Sequence, residues 1–273
     1  MSPTILRART ELSLPMEAEA ISPDHLDGLS EAAICSLPLQ LGRQRALLGD
    51  LFAVQGAGNI DLTLEGDLSH VKHVGKGMTH GSIAIHGNAG LHLGASMKGG
   101  VIDVWGNAGS WTGAEMAGGV IRIHGDAAAM LAAAYPGEGK GMAGGIILVD
   151  GSAGARVGER MRRGLIAIRG NCGEFAGNRM VAGTVVVFGH LGSRPGAEMK
   201  RGTILALGGL ETAPLPTFHH CCDYSPDFVQ LYLRSLREYG MPVTSAHLEG
   251  SFARYAGDTN TLGKGEILIY DQH

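Results

Sequence analysis

Gly75-Lys76-Gly77-Met78-Thr79-His80-Gly81 is the first of seven copies of a G-x-x-M-x-x-G unit. The unit returns around Met97, Met116, Met142, Met161, Met180 and Met199, and a further Gly follows nine residues after each Met. Successive Met are 19 residues apart, except between Met116 and Met142, where seven extra residues intervene. A fixed period of about 20 residues means stacked structural coils, each too small to bury a core alone.

Between the last two Gly of every unit lies a short apolar strand, such as Val101-Ile102-Asp103-Val104-Trp105. Alternation at period two sends one set of side chains inward. The first inward column is Ile83, Ile102, Ile121, Ile147, Ile166, Val185 and Ile204. The second is Ile85, Val104, Ile123, Val149, Ile168, Val187 and Ala206. All but Ala206 are β-branched, which suits a pleated, buried wall. The Gly mark corners that need positive φ or close approach of neighbouring coils. The Met ladder reads as a flexible filler of those corners rather than a metal or redox surface. These features predict an all-β fold, a right-handed parallel β-helix of about seven 19-residue coils. The aliphatic hexapeptide period of left-handed helices and the Leu/Asn consensus of leucine-rich solenoids are both absent.

The flanks leave the repeat. Residues 1–49 read as an N-terminal cap, 50–210 as the β-helix, and 211–273 as a C-terminal helix and β-hairpin extension. In the cap, Thr4 to Leu14 alternates weakly and predicts an edge strand. Ser22-Pro23-Asp24 and Ser30-Glu31 start two short helices. Leu62-Thr63-Leu64-Glu65 has the strand register without a Met unit and reads as a capping turn. The irregular coil spans Asp126 to Gly145, with a helix-permissive Ala127–Ala134 and a turn at Tyr135-Pro136-Gly137. Beyond the repeat, Ser225-Pro226-Asp227 caps a helix to Tyr239, with Phe228, Leu231, Tyr232 and Leu236 as its apolar stripe. Ser251–Tyr255 and Glu266–Tyr270 read as strands. Outward strand positions are polar early (His86, Asp103, Arg122, His124) and apolar late (Leu148, Val186, Phe188, Leu205, Leu207). The apolar strip needs a cover, from the chain's tail or from another subunit.

A net charge of -4 gives no argument for nucleic acid or an anionic membrane as partner, and no apolar run is long enough to span a bilayer. Cys35, Cys172, Cys221 and Cys222 form no disulfide framework, so a cytoplasmic location is expected. His219-His220-Cys221-Cys222 has metal-ligand residue types, but four consecutive residues cannot all turn onto one ion. Gly137-Glu138-Gly139-Lys140-Gly141 lacks the Lys-Ser/Thr of a phosphate loop, and Gly139 reads as part of the structural repeat. No catalytic motif appears, so catalytic and metal-binding residues in this chain are expected to be none. The connecting segments carry Lys98, Arg160, Arg162, Arg163, Arg179, Lys200 and Arg201, which read as a solvated rim or as a binding strip for an acidic partner.

The G-x-x-M-x-x-G coils resemble the glycine-rich β-helix shared by the C-terminal domain of glutamate synthase and the C subunit of formylmethanofuran dehydrogenase. Ile21-Ser22-Pro23-Asp24, Leu29-Ser30-Glu31-Ala32, Leu48-Gly49-Asp50-Leu51-Phe52 and Gly263-Lys264-Gly265-Glu266-Ile267-Leu268 favour the second of these. Ala134-Tyr135-Pro136-Gly137 and His219–Tyr224 look most like the C subunit of the bacterial formyltransferase/hydrolase complex. The resemblance implies a structural, non-catalytic subunit. Its partners would be an amidohydrolase-like A subunit, a B subunit and a formyltransferase D subunit. The complex would convert formyl-tetrahydromethanopterin to formate through a formylated methanofuran-type carrier, in formaldehyde oxidation. Methanofuran-type carrier, tetrahydromethanopterin and zinc would then reside in partner subunits, with no cofactor on this chain. Arg160, Arg162, Arg163, Arg179, Lys200 and Arg201 become candidates for steering an acidic carrier tail. The alternative is a glutamate-synthase-like scaffold module of another multi-subunit enzyme.

Overall fold

The computed structural model describes residues 3–9 and 14–271, and the chain is mostly β. In chain order the cap holds β1 (Thr4–Ala8), β2 (Met16–Glu17), α1 (Pro23–Leu26), α2 (Glu31–Cys35), β3 (Pro38–Leu41), β4 (Gln44–Leu47), α3 (Leu48–Leu51) and β5 (Phe52–Gln55). The stack follows with β6 (Asp61–Glu65), β7 (Val71–Lys72), β8 (Ser82–His86), β9 (Val101–Val104), β10 (Val120–Ile123) and β11 (Ile146–Val149). It continues with β12 (Leu165–Ile168), β13 (Thr184–Val187) and β14 (Arg201–Ala206). The tail comprises β15 (His219–Tyr224), α4 (Asp227–Glu238), α5 (Ser245–Glu249), β16 (Phe252–Gly257) and β17 (Lys264–Tyr270).

Thirteen strands form one sheet in the order β5-β1-β6-β8-β9-β10-β11-β12-β13-β14-β17-β16-β15. From β1 to β17 each neighbour is parallel, and the two predicted inward columns lie in register, Ile102 beside Ile121 and Val104 beside Ile123. Both columns are essentially fully buried. A second, narrow ladder of parallel bridges runs Leu68-Ala89-Ala108-Ala127-Ala153-Cys172-Leu191-Leu210 on another side of each coil. The Met fill the corners as expected. The Met78 methyl lies against Gly100 of the next coil, Met97 against Gly119, and Met180 against Gly202.

Several local expectations are corrected. β1 is not an edge strand: it sits between β5 and β6, so β5 takes the edge, and residues 10–13 of the expected strand lie outside the described residues. β6 is no capping turn but a full member of the sheet, with Leu62 beside Ile83 and Leu64 beside Ile85. Ala127–Ala134 forms no helix, because Ala127 stays on the bridge ladder and the Ala132 amide donates to the Thr112 carbonyl, holding the chain on the coil path. The extra residues leave only after Ala134, whose amide still donates to the Glu159 carbonyl of the next coil, and the φ of 59° at Ala132 matches Gly113 and Gly158 in the neighbouring coils. Ala132 is therefore the structural counterpart of the Gly that precedes Met elsewhere. Gly139, which holds that place in the sequence, lies in the protruding loop, where a Cβ would meet only open space.

The late apolar strip is covered by the chain itself. Leu148, Ala167, Val186 and Leu205 are buried under Val229, Leu233 and Leu236 of α4, together with Met241, Val243 and Phe252. The buried stripe of α4 is thus 229/233/236, whereas Phe228, Leu231 and Tyr232 remain exposed. Arg122 ties the helix end to the stack: it forks onto Asp150 at 3.0–3.2 Å and donates to the Tyr239 carbonyl at 2.7 Å.

Candidate binding surface

Each coil turns one corner through residues in the left-handed region. His73, His92, Trp111, Met130, Arg156, Phe175 and Arg194 occupy one such column, all with φ between 56° and 64°. Ser96, Glu115, Arg160, Arg179 and Glu198 occupy a second, at 55–58°. Non-glycine residues pay about 1–2 kcal/mol for this conformation, so the surrounding structure must hold it. It does so through inter-coil bonds, such as the His92 amide to the Ser110 carbonyl at 3.0 Å and the Phe175 amide to the Ser193 carbonyl at 2.9 Å. Side chains one period apart in the sequence thereby become vertical neighbours in space.

In the first column the rings stack. His73 and His92 lie 4.6 Å apart, and His92 and Trp111 5.5 Å apart. Tyr135, from the protruding loop, closes over them and its hydroxyl meets His92 Nδ1 at 2.9 Å. Further along, Arg156 and Arg194 sandwich the Phe175 ring at 5.6 and 5.4 Å. Burial pushes the His73 and His92 pKa values down from 6.5, and for His73 it outweighs the opposing pull of Glu17, 3.1 Å away. Both imidazoles therefore fold as neutral rings, and the unfolded chain takes up their protons first as pH falls. Their stabilisation is full above about pH 6.5 and is lost below it. We expect the thermal midpoint to fall between about pH 7 and about pH 5, with a shallower slope in His92→Phe. An identical slope in that variant would assign the acid lability to other groups.

Two surface pockets adjoin this corner. One, of about 430 Å³, is lined by Gly139, Arg160, Arg162, Arg179, Val181, Glu198, Lys200 and Thr261. The other, of about 200 Å³, is lined by Trp111, Tyr135, Arg156, Glu159, Arg160 and Arg179 among others. Arg160 and Arg179 belong to both, so the pockets form one groove facing five cations and two carboxylates. Arg179 forks onto Glu198 at 2.9 and 3.2 Å, an ion pair that raises the arginine's pKa and lowers the glutamate's. Arg156 pairs with Glu159 at 3.3 Å. Arg162 donates to the Gly139 carbonyl, which pins the protruding loop beside the groove.

Of the six sequence candidates, the structure gathers Arg160, Arg162, Arg179 and Lys200 here. Arg163 instead lines a different groove beside α4, and Arg201 stands exposed at the start of β14. Arg156 and Thr261 were missed. Arg156 sits four residues before Arg160, as Phe175 does before Arg179, a signal legible once the coils are aligned.

His219–Cys222 lies on β15, the outer edge strand, exposed and with His220 paired to Asp223 at 2.9 Å. No group of three or more His, Cys, Asp or Glu is placed to hold a metal among the described residues. Cys172, by contrast, fills the alanine ladder, and burial pushes its thiol up to about 12. Native protein treated with a thiol reagent should label Cys221 and Cys222 rapidly and leave Cys172 untouched until denaturant is added. Peptide mapping that found Cys172 labelled in native protein would mean that the stack opens readily.

Residues 69–213, more than half of the chain, match the GXGXG motif family. A chain of the formyltransferase/hydrolase complex (FhcABCD) from Methylorubrum extorquens, solved with methylofuran, superposes with a TM-score of 0.92 at 38% identity, covering 98% of this chain and 100% of that one. The C subunit of that organism's formyltransferase/hydrolase complex Fhc is 39% identical over 85 residues, 31% of this chain and 32% of its own length. The C subunit of molybdenum-containing formylmethanofuran dehydrogenase 1 from Methanothermobacter thermautotrophicus is 40% identical over 89 residues, 32% of this chain and 22% of that protein. These alignments with curated relatives thus span between about a fifth and a third of the relatives' length. No helix among the described residues is long and apolar enough to cross a membrane.

Proposed function

Because the chain belongs to the GXGXG motif family, and within it to the C subunits of formyltransferase/hydrolase and formylmethanofuran dehydrogenase complexes, we propose that it is the non-catalytic scaffold of such a complex. The observation that carries this reading is the end-to-end likeness, at 38% identity, to a chain of the FhcABCD assembly. In this reading the stack is a right-handed β-helix, residues 50–210, flanked by a cap (1–49) and an extension (211–273). It sits in the cytoplasm and docks an amidohydrolase-like A subunit, a B subunit and a formyltransferase D subunit. Those partners carry zinc and the chemistry, moving a formyl group from formyl-tetrahydromethanopterin to a methanofuran-type carrier and releasing formate. The chain supplies positions rather than reacting groups.

The basic groove favours an added role. Five cations against two carboxylates, on a chain of net charge -4, suit an acidic carrier tail laid along Arg160, Arg162, Arg179 and Lys200. Arg163 and Arg201 do not line that path.

A native pull-down of the tagged chain, with mass spectrometry of the eluate, tests the scaffold reading. Co-elution of amidohydrolase-like and formyltransferase subunits is the expected result. Recovery of the chain alone, or with amidotransferase or glutamate synthase components, would remove it.

A further inference from the structure

We propose that the groove beside α4 seats an amphipathic helix, bearing a carboxylate, from a different subunit of the complex; the inference rests on the scaffold reading above. The groove holds about 600 Å³ and is walled on one side by Phe228, Leu231, Tyr232 and Ser235 of α4. These positions follow the spacing i, i+3, i+4, i+7, so they form one straight ridge of the helix. Val229, Leu233 and Leu236 already bury the neighbouring face on the sheet. The second ridge is therefore surplus to the chain's own packing, and Leu231 is left 71% exposed.

The opposite wall is built from the strand starts. Ile146 and Leu165 line it, together with Gly145 and Gly164. In register with Ile146 stand Val120 and then Val101, which is 45% exposed, so the apolar wall runs on across two further coils. A ridge facing a long apolar trough is the geometry that accepts a helix. One charge lines the groove, Arg163, and it has no ion-pair partner among the described residues. That cation selects a carboxylate on the occupant. It also disfavours a second copy of this chain, since a two-fold contact through the groove would bring Arg163 towards its own mate.

The test co-produces the full chain with the remaining subunits and measures how much complex each variant yields. Leu231→Asp and Arg163→Glu should each lower recovery of the assembled complex about tenfold or more, while the free variants keep the wild-type thermal midpoint. Leu47→Asp, another exposed leucine, on β4 of the cap, should assemble normally. Wild-type assembly by both groove variants overturns the groove alone. So does a chain that is dimeric by itself and becomes monomeric with Leu231→Asp, because the occupant is then a second copy. A wild-type chain that assembles with none of those subunits removes the scaffold reading and this inference together. The two substitutions lie on separate elements, so misfolding of one leaves the other to decide.

Discussion

Gly170→Ala is expected to lower the thermal midpoint by about 6–12 °C, corresponding to about 3 kcal/mol. Gly170 belongs to the column Gly87, Gly106, Gly125, Gly151, Gly170, Gly189 and Gly208, the one nine residues after each Met. There the coils touch backbone to backbone: the Gly170 amide donates to the Gly151 carbonyl at 2.8 Å, and the Gly189 amide to the Gly170 carbonyl at 3.1 Å. A Cβ at Gly170 would lie 2.7 Å from the Gly151 oxygen and 2.8 Å from its carbon. Neither atom can rotate away as a side chain would, so the coils must separate. The contrast is Gly139→Ala, which should leave the midpoint unchanged because a Cβ there would meet nothing within 4 Å. Differential scanning calorimetry of the pair is decisive. A Gly170→Ala protein melting within about two degrees of wild type would mean that the coil spacing yields easily.

The second large effect concerns activity of the assembled complex. Arg160→Glu combined with Lys200→Glu should raise the Michaelis constant for the acidic carrier about tenfold or more, with kcat unchanged. Both side chains line the 430 Å³ pocket, and neither takes part in the ion pairs that stabilise the corner, which are made by Arg179 with Glu198 and Arg156 with Glu159. Reversal therefore changes the field in the groove while leaving the fold's own contacts in place. The unmodified complex should also show a Michaelis constant that rises with salt, and the variant a flatter dependence. Wild-type kinetics in an intact variant complex would take the carrier tail away from this surface.

The stack was legible in the sequence because its cause is local and repeated. Each Ile or Val of the inward columns sees the same residue type one period away, so pattern and packing coincide. The flanks were harder. Nothing in Thr4–Ala8 tells an inner strand from an outer one, since that depends on β5 returning antiparallel against it. In α4 the sequence pattern points to Phe228, Leu231, Tyr232 and Leu236 as the apolar stripe, and only the position of the sheet decides that Val229 rather than Phe228 is buried. Gly139 misled for a related reason: its distance from Met142 copies the repeat, but backbone bonding from Ala132 fixes the register. The basic groove was read only in part. Arg163 has the composition of its neighbours, yet it stands at a strand start on another side of the coil.

The seven additional residues before Met142 leave the stack after Ala134 and return at Met142, whose amide donates to the Ala132 carbonyl. Every strand after them keeps its alignment, Ile147 against Ile121 and Ile166 against Ile147. The molecule's length is therefore quantised. It can grow or shrink only by whole turns, each adding about 4.8 Å along the axis, while any other change in chain length must be expelled sideways as a loop. Distances between partners docked at different heights along the axis would then come in fixed steps, as on a ruler, and sequence drift could ornament the ruler without altering its marks.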